Sequence, residues 1–143
     1  MIQQGFNIGE RDWWVMVFYD MRTEAELNEV YRALLASGCE SDKAQRACML
    51  LSQWNCGYTF SNLEDHVSVM CIGKATSPQQ SYNTIMHELK HLTEHISECY
   101  ELDPKEELAT YLQGETGSIM FPAIALLTCP KCNSVTKDNI ITY

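Results

Sequence analysis

The spacing of apolar and polar positions changes period several times along this chain, and each change predicts an element. Residues 13–20, WWVMVFYD, are almost wholly apolar, rich in β-formers and closed by an acidic residue, which predicts a buried strand. From Thr23 the period becomes helical, with Leu27, Val30, Tyr31, Leu34 and Leu35 on one stripe. Thr23 and Glu26 form a capping-box signature at its start, and Gly38 stops it. Ser41 predicts the cap of a second helix, with Ala44, Ala47, Cys48 and Leu51 inward and Gly57 at its end. Over residues 58–73, YTFSNLEDHVSVMCIG, the period falls to two. Val67, Val69 and Cys71 alternate there with His66, Ser68 and Met70, so a β-hairpin is expected. Ser77, Pro78 and Gln80 then open a third helix whose stripe is Tyr82, Ile85, Met86, Leu89, Leu92, Ile96 and Cys99. Asp103, Pro104 and Glu106 repeat that pattern for a fourth helix, running towards Pro122. A strand, two helices, a hairpin and two more helices make an α+β fold.

Composition narrows the function. A chain of 143 residues suits one domain, taken here as 1–128, followed by a tail over 129–143. The net charge of −9 argues against direct nucleic-acid binding, which needs clustered Lys and Arg, and favours capture of a cation. The sequence contains no apolar run of membrane-spanning length and no signal-peptide pattern at its start. Its seven cysteines are odd in number and mostly lie within apolar periodic stretches, which fits reduced thiols in a cytoplasm.

The chemistry concentrates in the third helix, where His87-Glu88-Leu89-Lys90-His91 has the HExxH spacing. Residues four apart on a helix lie about 40° apart, so both imidazoles can address one Zn²⁺ while Glu88 serves as general base to a bound water. Two histidines need a third ligand. The metzincin pattern is absent, since Glu94 and Ser97 stand where its Gly and last His would be. His95 continues the four-residue series a turn further along, and suits a supporting role behind the ligands better than ligation. A carboxylate from the next helix is the preferred third ligand, with Glu106 and Glu107 both in position. If Asp103 is the cap, Glu106 folds back onto it and Glu107 is left for the metal, with Gly114 allowing the two helices to approach.

These segments, NTIMHELKHLTEHI followed by DPKEELATYLQG, resemble the zincin-like metallopeptidases of bacteriophages and of mobile elements of gut bacteria. The similarity extends over roughly residues 12–115 and includes GYTFSN and IGKATSPQQ. It implies a zincin-like fold, with a small antiparallel or mixed sheet, an HExxH helix and a following Glu-bearing helix. It also implies a bound zinc and, for a phage-encoded chain, the host cytoplasm. Aligning Tyr111, Leu112 and Gly114 with the family's pattern puts its ligand-like Glu on Glu107, although Leu108 replaces the second Glu often found there. On that resemblance the strand 66–72 would edge the substrate cleft. His66 and Tyr111 are candidates to stabilise the transition state.

Cys129-Pro130-Lys131-Cys132 is a lone CxxC, half of a zinc ribbon. Two free thiols on a loose tail, a shared second zinc and a disulfide all remain open. The leading expectation is a zinc metallopeptidase cleaving a peptide or protein substrate. The alternative is a non-catalytic zincin in which zinc ties two helices together and the cleft binds a protein. Oligomeric state is not set by the sequence.

Overall fold

The computed structural model describes residues 1–9, 12–103, 105–129 and 140–142. Its elements are β1 (Ile2–Ile8), β2 (Trp13–Tyr19), α1 (Glu24–Ala36), α2 (Ser41–Leu51), β3 (Gly57–Asn62), β4 (Val67–Ile72), α3 (Pro78–Cys99), α4 (Glu107–Thr128) and β5 (Ile140–Thr142). The α+β class holds, with four helices and a mixed sheet in the order β3-β4-β2-β1-β5. β3 and β4 form the expected antiparallel hairpin, while β4 runs parallel to β2. That parallel pairing needs a crossover, which α1 and α2 supply.

Strand alternation sorts the core into two layers. Trp13, Val15, Val17 and Tyr19 of β2, with Met70 and Ile72 of β4, face Leu89, Leu92 and Ile96 of α3 and Leu112, Met120 and Ile124 of α4. Phe18, Val69 and Cys71 face the opposite way, onto Val30 and Leu34 of α1 and Ala44, Ala47 and Leu51 of α2. Both faces of the central strands are covered, which is why residues 13–20 read as an unbroken apolar run.

Local signals account for the boundaries. Thr23 accepts from the Glu26 amide and Glu26 returns to the cap backbone, so the capping box forms as expected. Gly38 closes the end of α1 at φ +94°. The hydroxyl of Ser77 caps α3, with Pro78 at its first position. α2 begins at Ser41 itself, with Glu40 as its N-cap, and it ends at Leu51, well before Gly57.

The structure departs from the sequence reading at four further points. β1 was not foreseen, because Gln4 interrupts the apolar alternation of Ile2, Phe6 and Ile8. Gln4 is nevertheless buried, its amide donating to the Ile119 carbonyl at 2.7 Å while its oxygen accepts from the Tyr19 hydroxyl at 2.9 Å. α4 does not stop at Pro122; it continues to Thr128. Proline removes one helical hydrogen bond, to the Ser118 carbonyl, and both residues lie exposed where water can serve. Asp103 does not cap α4. Its carboxylate accepts from Lys105 N and its carbonyl from Glu106 N, both at 2.9 Å, so the helix starts later, at Glu107. Finally, the tail is not wholly separate, since the backbone of β5 pairs in parallel with β1. No helix among the described residues is long and apolar enough to cross a membrane.

Tyr19→Phe keeps the ring and strands the buried Gln4 oxygen. It is expected to destabilise the protein by about 1–2 kcal/mol in urea unfolding. Unchanged stability would show that the Gln4–Tyr19 bond contributes nothing.

Candidate functional site

α3 lies along the edge strand β3, and the two run in the same direction. On β3, Tyr58 and Phe60 pack towards α1 and α2, so Gly57, Thr59 and Ser61 face α3. Glu88 is 4% exposed, and its Oε2 accepts from the Thr59 hydroxyl at 2.7 Å. A Cβ built on Gly57 would stand 2.5 Å from Glu88 Cγ and 2.8 Å from Cδ. Gly57 is therefore the close approach that seats the Glu88 side chain. The same carboxylate bears on the other sheet face. Burial, then Cys48 and Glu88, push the Cys71 thiol well above its usual range and keep it protonated.

One turn apart on the outer side of α3, the Nε2 atoms of His87 and His91 are 3.0 Å from each other, with the rings edge-on at 4.7 Å. Two nitrogens bound tetrahedrally to zinc at about 2.05 Å stand about 3.3 Å apart. The spacing and donor chemistry of this pair thus fit one zinc ion. Glu94 Oε2 lies 3.7 Å from His91 Nδ1, on the far side of that ring, and its other oxygen lies 3.7 Å from Lys90 Nζ.

His95 is tied to the sheet, its Nδ1 2.8 Å from Ser61 Oγ. Burial, then the neighbouring His91, lower its pKa, which favours a neutral ring.

The expected third ligand is not brought to the pair. Gly117 meets Leu89, whose Cδ2 would lie 3.4 Å from a Cβ built there, so α4 docks on the Leu89 side of α3. His87 and His91 are each two residues from Leu89, about 160° around the helix from it. Glu107 is exposed at the first position of α4, ten residues or about 15 Å along that helix from Gly117. Glu106 precedes it as the N-cap and is also exposed. Among the described residues no His, Cys, Asp or Glu completes the pair to a group of three able to hold a metal.

Gly114 does not mediate helix contact either, since a Cβ there would meet nothing within 4 Å. It lines an apolar groove of about 920 Å³ with Tyr82, Met86, Leu89 and Phe121, which lies on the α4 side and away from the histidines.

The other candidates fall elsewhere. His66 stacks on Trp13 at 5.1 Å and meets Tyr100 at 5.7 Å. Tyr100 caps the C-terminal end of α3, thirteen residues or about 20 Å along the helix from His87. His66 is therefore an aromatic plug at the hairpin turn. Tyr111 is 66% exposed on α4. The edge strand beside α3 is β3, not 66–72, because β4, which also packs on α3, is enclosed between β3 and β2. Cys129 follows α4 as its C-cap, and Cys132 lies outside the described residues. Cys39, Cys48, Cys56, Cys71 and Cys99 are free thiols.

Sequence reasoning gave Gly57, Thr59, Ser61 and Glu94 no part in the site. The first three were legible as the polar face of an alternating strand, GYTFSN. Compared with protein-family models, curated proteins and solved structures, the chain matches none of them.

The two glycines give opposed expectations. Gly57→Ala collides with Glu88 near the root of its side chain and should cost about 1–3 kcal/mol. Gly114→Ala, inside α4 and facing open space, should stabilise by up to about 1 kcal/mol. Chemical-denaturation midpoints moving in the same direction for both would refute this account of the Glu88 seat.

Proposed function

We propose that the protein is a zinc-dependent hydrolase, a small metallopeptidase of zincin type, with His87 and His91 as metal ligands and Glu88 as general base. The observation that carries this reading is the convergence of the two Nε2 atoms, 3.0 Å apart, beside a carboxylate held in a fixed place by Thr59. Zinc, when bound, polarises a carbonyl and acidifies a water molecule. The imidazoles supply neutral nitrogen donors. Glu88 supplies a proton acceptor one residue from the first of them, and its buried seat keeps the carboxylate from swinging into solvent.

The docking of α4 bears on the third ligand. With α4 on the opposite side of α3, Glu107 is not part of the proposed set, and neither is Glu106. The alternative in which zinc ties α3 to α4 has no support in this packing. A peptide or protein substrate in a cytoplasm remains the proposed setting, and the acidic chain, with a net charge of −9, suits capture of a divalent cation.

Elemental analysis and zinc titration of the purified protein test the reading. The wild type is expected to bind one zinc per pair. His87→Ala and His91→Ala should each lose at least tenfold in affinity, and Glu107→Ala should change it by less than about twofold. Glu88→Gln should retain zinc and lose cleavage of a peptide library. Zinc binding that ignores both histidines would sink the proposal, and a large loss with Glu107→Ala would restore that residue as a ligand.

A further inference from the structure

His95 belongs to a hydrogen-bonded chain that crosses the sheet. Trp13 Nε1 donates to Ser68 Oγ at 2.8 Å, Ser68 Oγ lies 2.7 Å from Ser61 Oγ, and Ser61 Oγ lies 2.8 Å from His95 Nδ1. The direction of this chain follows from its first member. An indole N–H can only donate, so Ser68 Oγ is an acceptor there and has one proton of its own to place. Ser68 is 0% exposed, and among the described residues its hydroxyl has no acceptor besides Ser61. Its proton must therefore go to Ser61, and with Ser61 accepting there, the arrangement that uses every proton of the row within it has Ser61 donating to His95 Nδ1. The reverse order would leave a buried hydroxyl proton unbonded, which is costly.

A ring that accepts at Nδ1 carries its proton on Nε2 when neutral. Nε2 of His95 has no partner among the described residues, yet it is not among their buried unpaired polar atoms, so it opens to the surface. The His95 ring lies 6.5 Å from that of His91, about two residues of extended peptide.

We propose that the Trp13–Ser68–Ser61 chain locks His95 in the Nε2–H tautomer, making it a positioning donor for a carbonyl oxygen of a peptide bound beside the histidine pair, and withholding it from the metal. The donor role rests on the hydrolase reading; the tautomer does not. Ligation through Nε2 would require a proton on Nδ1, and Ser61 would then accept from both neighbours and turn its own proton out of the row, so the bond that orients the ring opposes its use as a ligand.

Long-range ¹H–¹⁵N NMR of the four histidines tests this, without zinc and with one equivalent. His95 is expected to show a bare Nδ1 and a protonated Nε2 in both states, while the Nε2 signals of His87 and His91 move on adding zinc. Ser61→Ala should release His95 into a mixture of tautomers. In the zinc-loaded protein a hydroxamate-capped tripeptide should shift the His95 Nε2–H signal, and acetohydroxamate alone should not. A protonated Nδ1, a zinc-dependent change at His95 Nε2, or no response to the tripeptide would overturn the proposal. If His87 and His91 ignore zinc while His95 keeps its tautomer, the metal reading fails and the locked ring stands.

Discussion

A carboxylate buried where α3 meets the edge strand sets the orientation of everything around it. Burying Glu88 is costly unless the group finds a partner, and the strand provides two things for it. Gly57 leaves room for the side chain and Thr59 donates a hydrogen bond. Neither concession makes sense for a helix that merely covers a sheet, where an apolar residue would pack at lower cost. Once Glu88 faces β3, the roll of α3 about its own axis is fixed. His87 and His91 are then carried outward together, and Leu89, Leu92 and Ile96 turn into the core.

That roll also decides where α4 can sit. The apolar stripe of α3 that remains after β3 and β4 are covered is the Leu89 side, so α4 packs there and spans across to β1, where Gln4 grips the Ile119 carbonyl. A carboxylate on α4 can reach the histidines only if α4 passes over the outer face, where α3 presents His87, Lys90, His91 and Glu94. Placing the third ligand on the next helix follows from chain order. The distance of Glu107 from the pair in this structure follows from packing, a property of the whole core rather than of the local sequence.

The same distinction explains what the sequence made legible. Where a signal is local and complete, the fold obeyed it: the Thr23–Glu26 box, the Ser77–Pro78 start and the alternation of the β3–β4 hairpin all formed. Where a residue had a stronger partner elsewhere, the local rule lost. Asp103 looked like a cap and serves a turn instead. Gln4 interrupts the apolar alternation of Ile2, Phe6 and Ile8, yet it is a buried bridge between Tyr19 and α4. Pro122 looked like a terminator, but the helix beyond it buries Ala123, Ile124 and Leu127 and continues. The histidine pair and Glu88 were legible because spacing on one helix is itself local geometry. The β2–β4 pairing, which makes β3 the edge, joins strands separated by two helices, and no short pattern encodes it.

Serine at two facing positions of β3 and β4 shows how such a sheet can carry polar groups inward without instability. Ser68 occupies a fully buried core-facing site where a valine would satisfy the strand pattern. It is tolerated because Trp13 gives it a donor and Ser61 takes its proton, so each group in the row is both supplied and used. The row ends on an imidazole because histidine can accept at one nitrogen and still offer a proton at the other. Unlike a lysine or a carboxylate, a neutral ring in that place carries no charge to be desolvated. The buried polar path therefore delivers an oriented donor to the surface of α3 while the core around it stays uncharged, and Glu88 remains the one carboxylate that the α3–β3 joint has to accommodate.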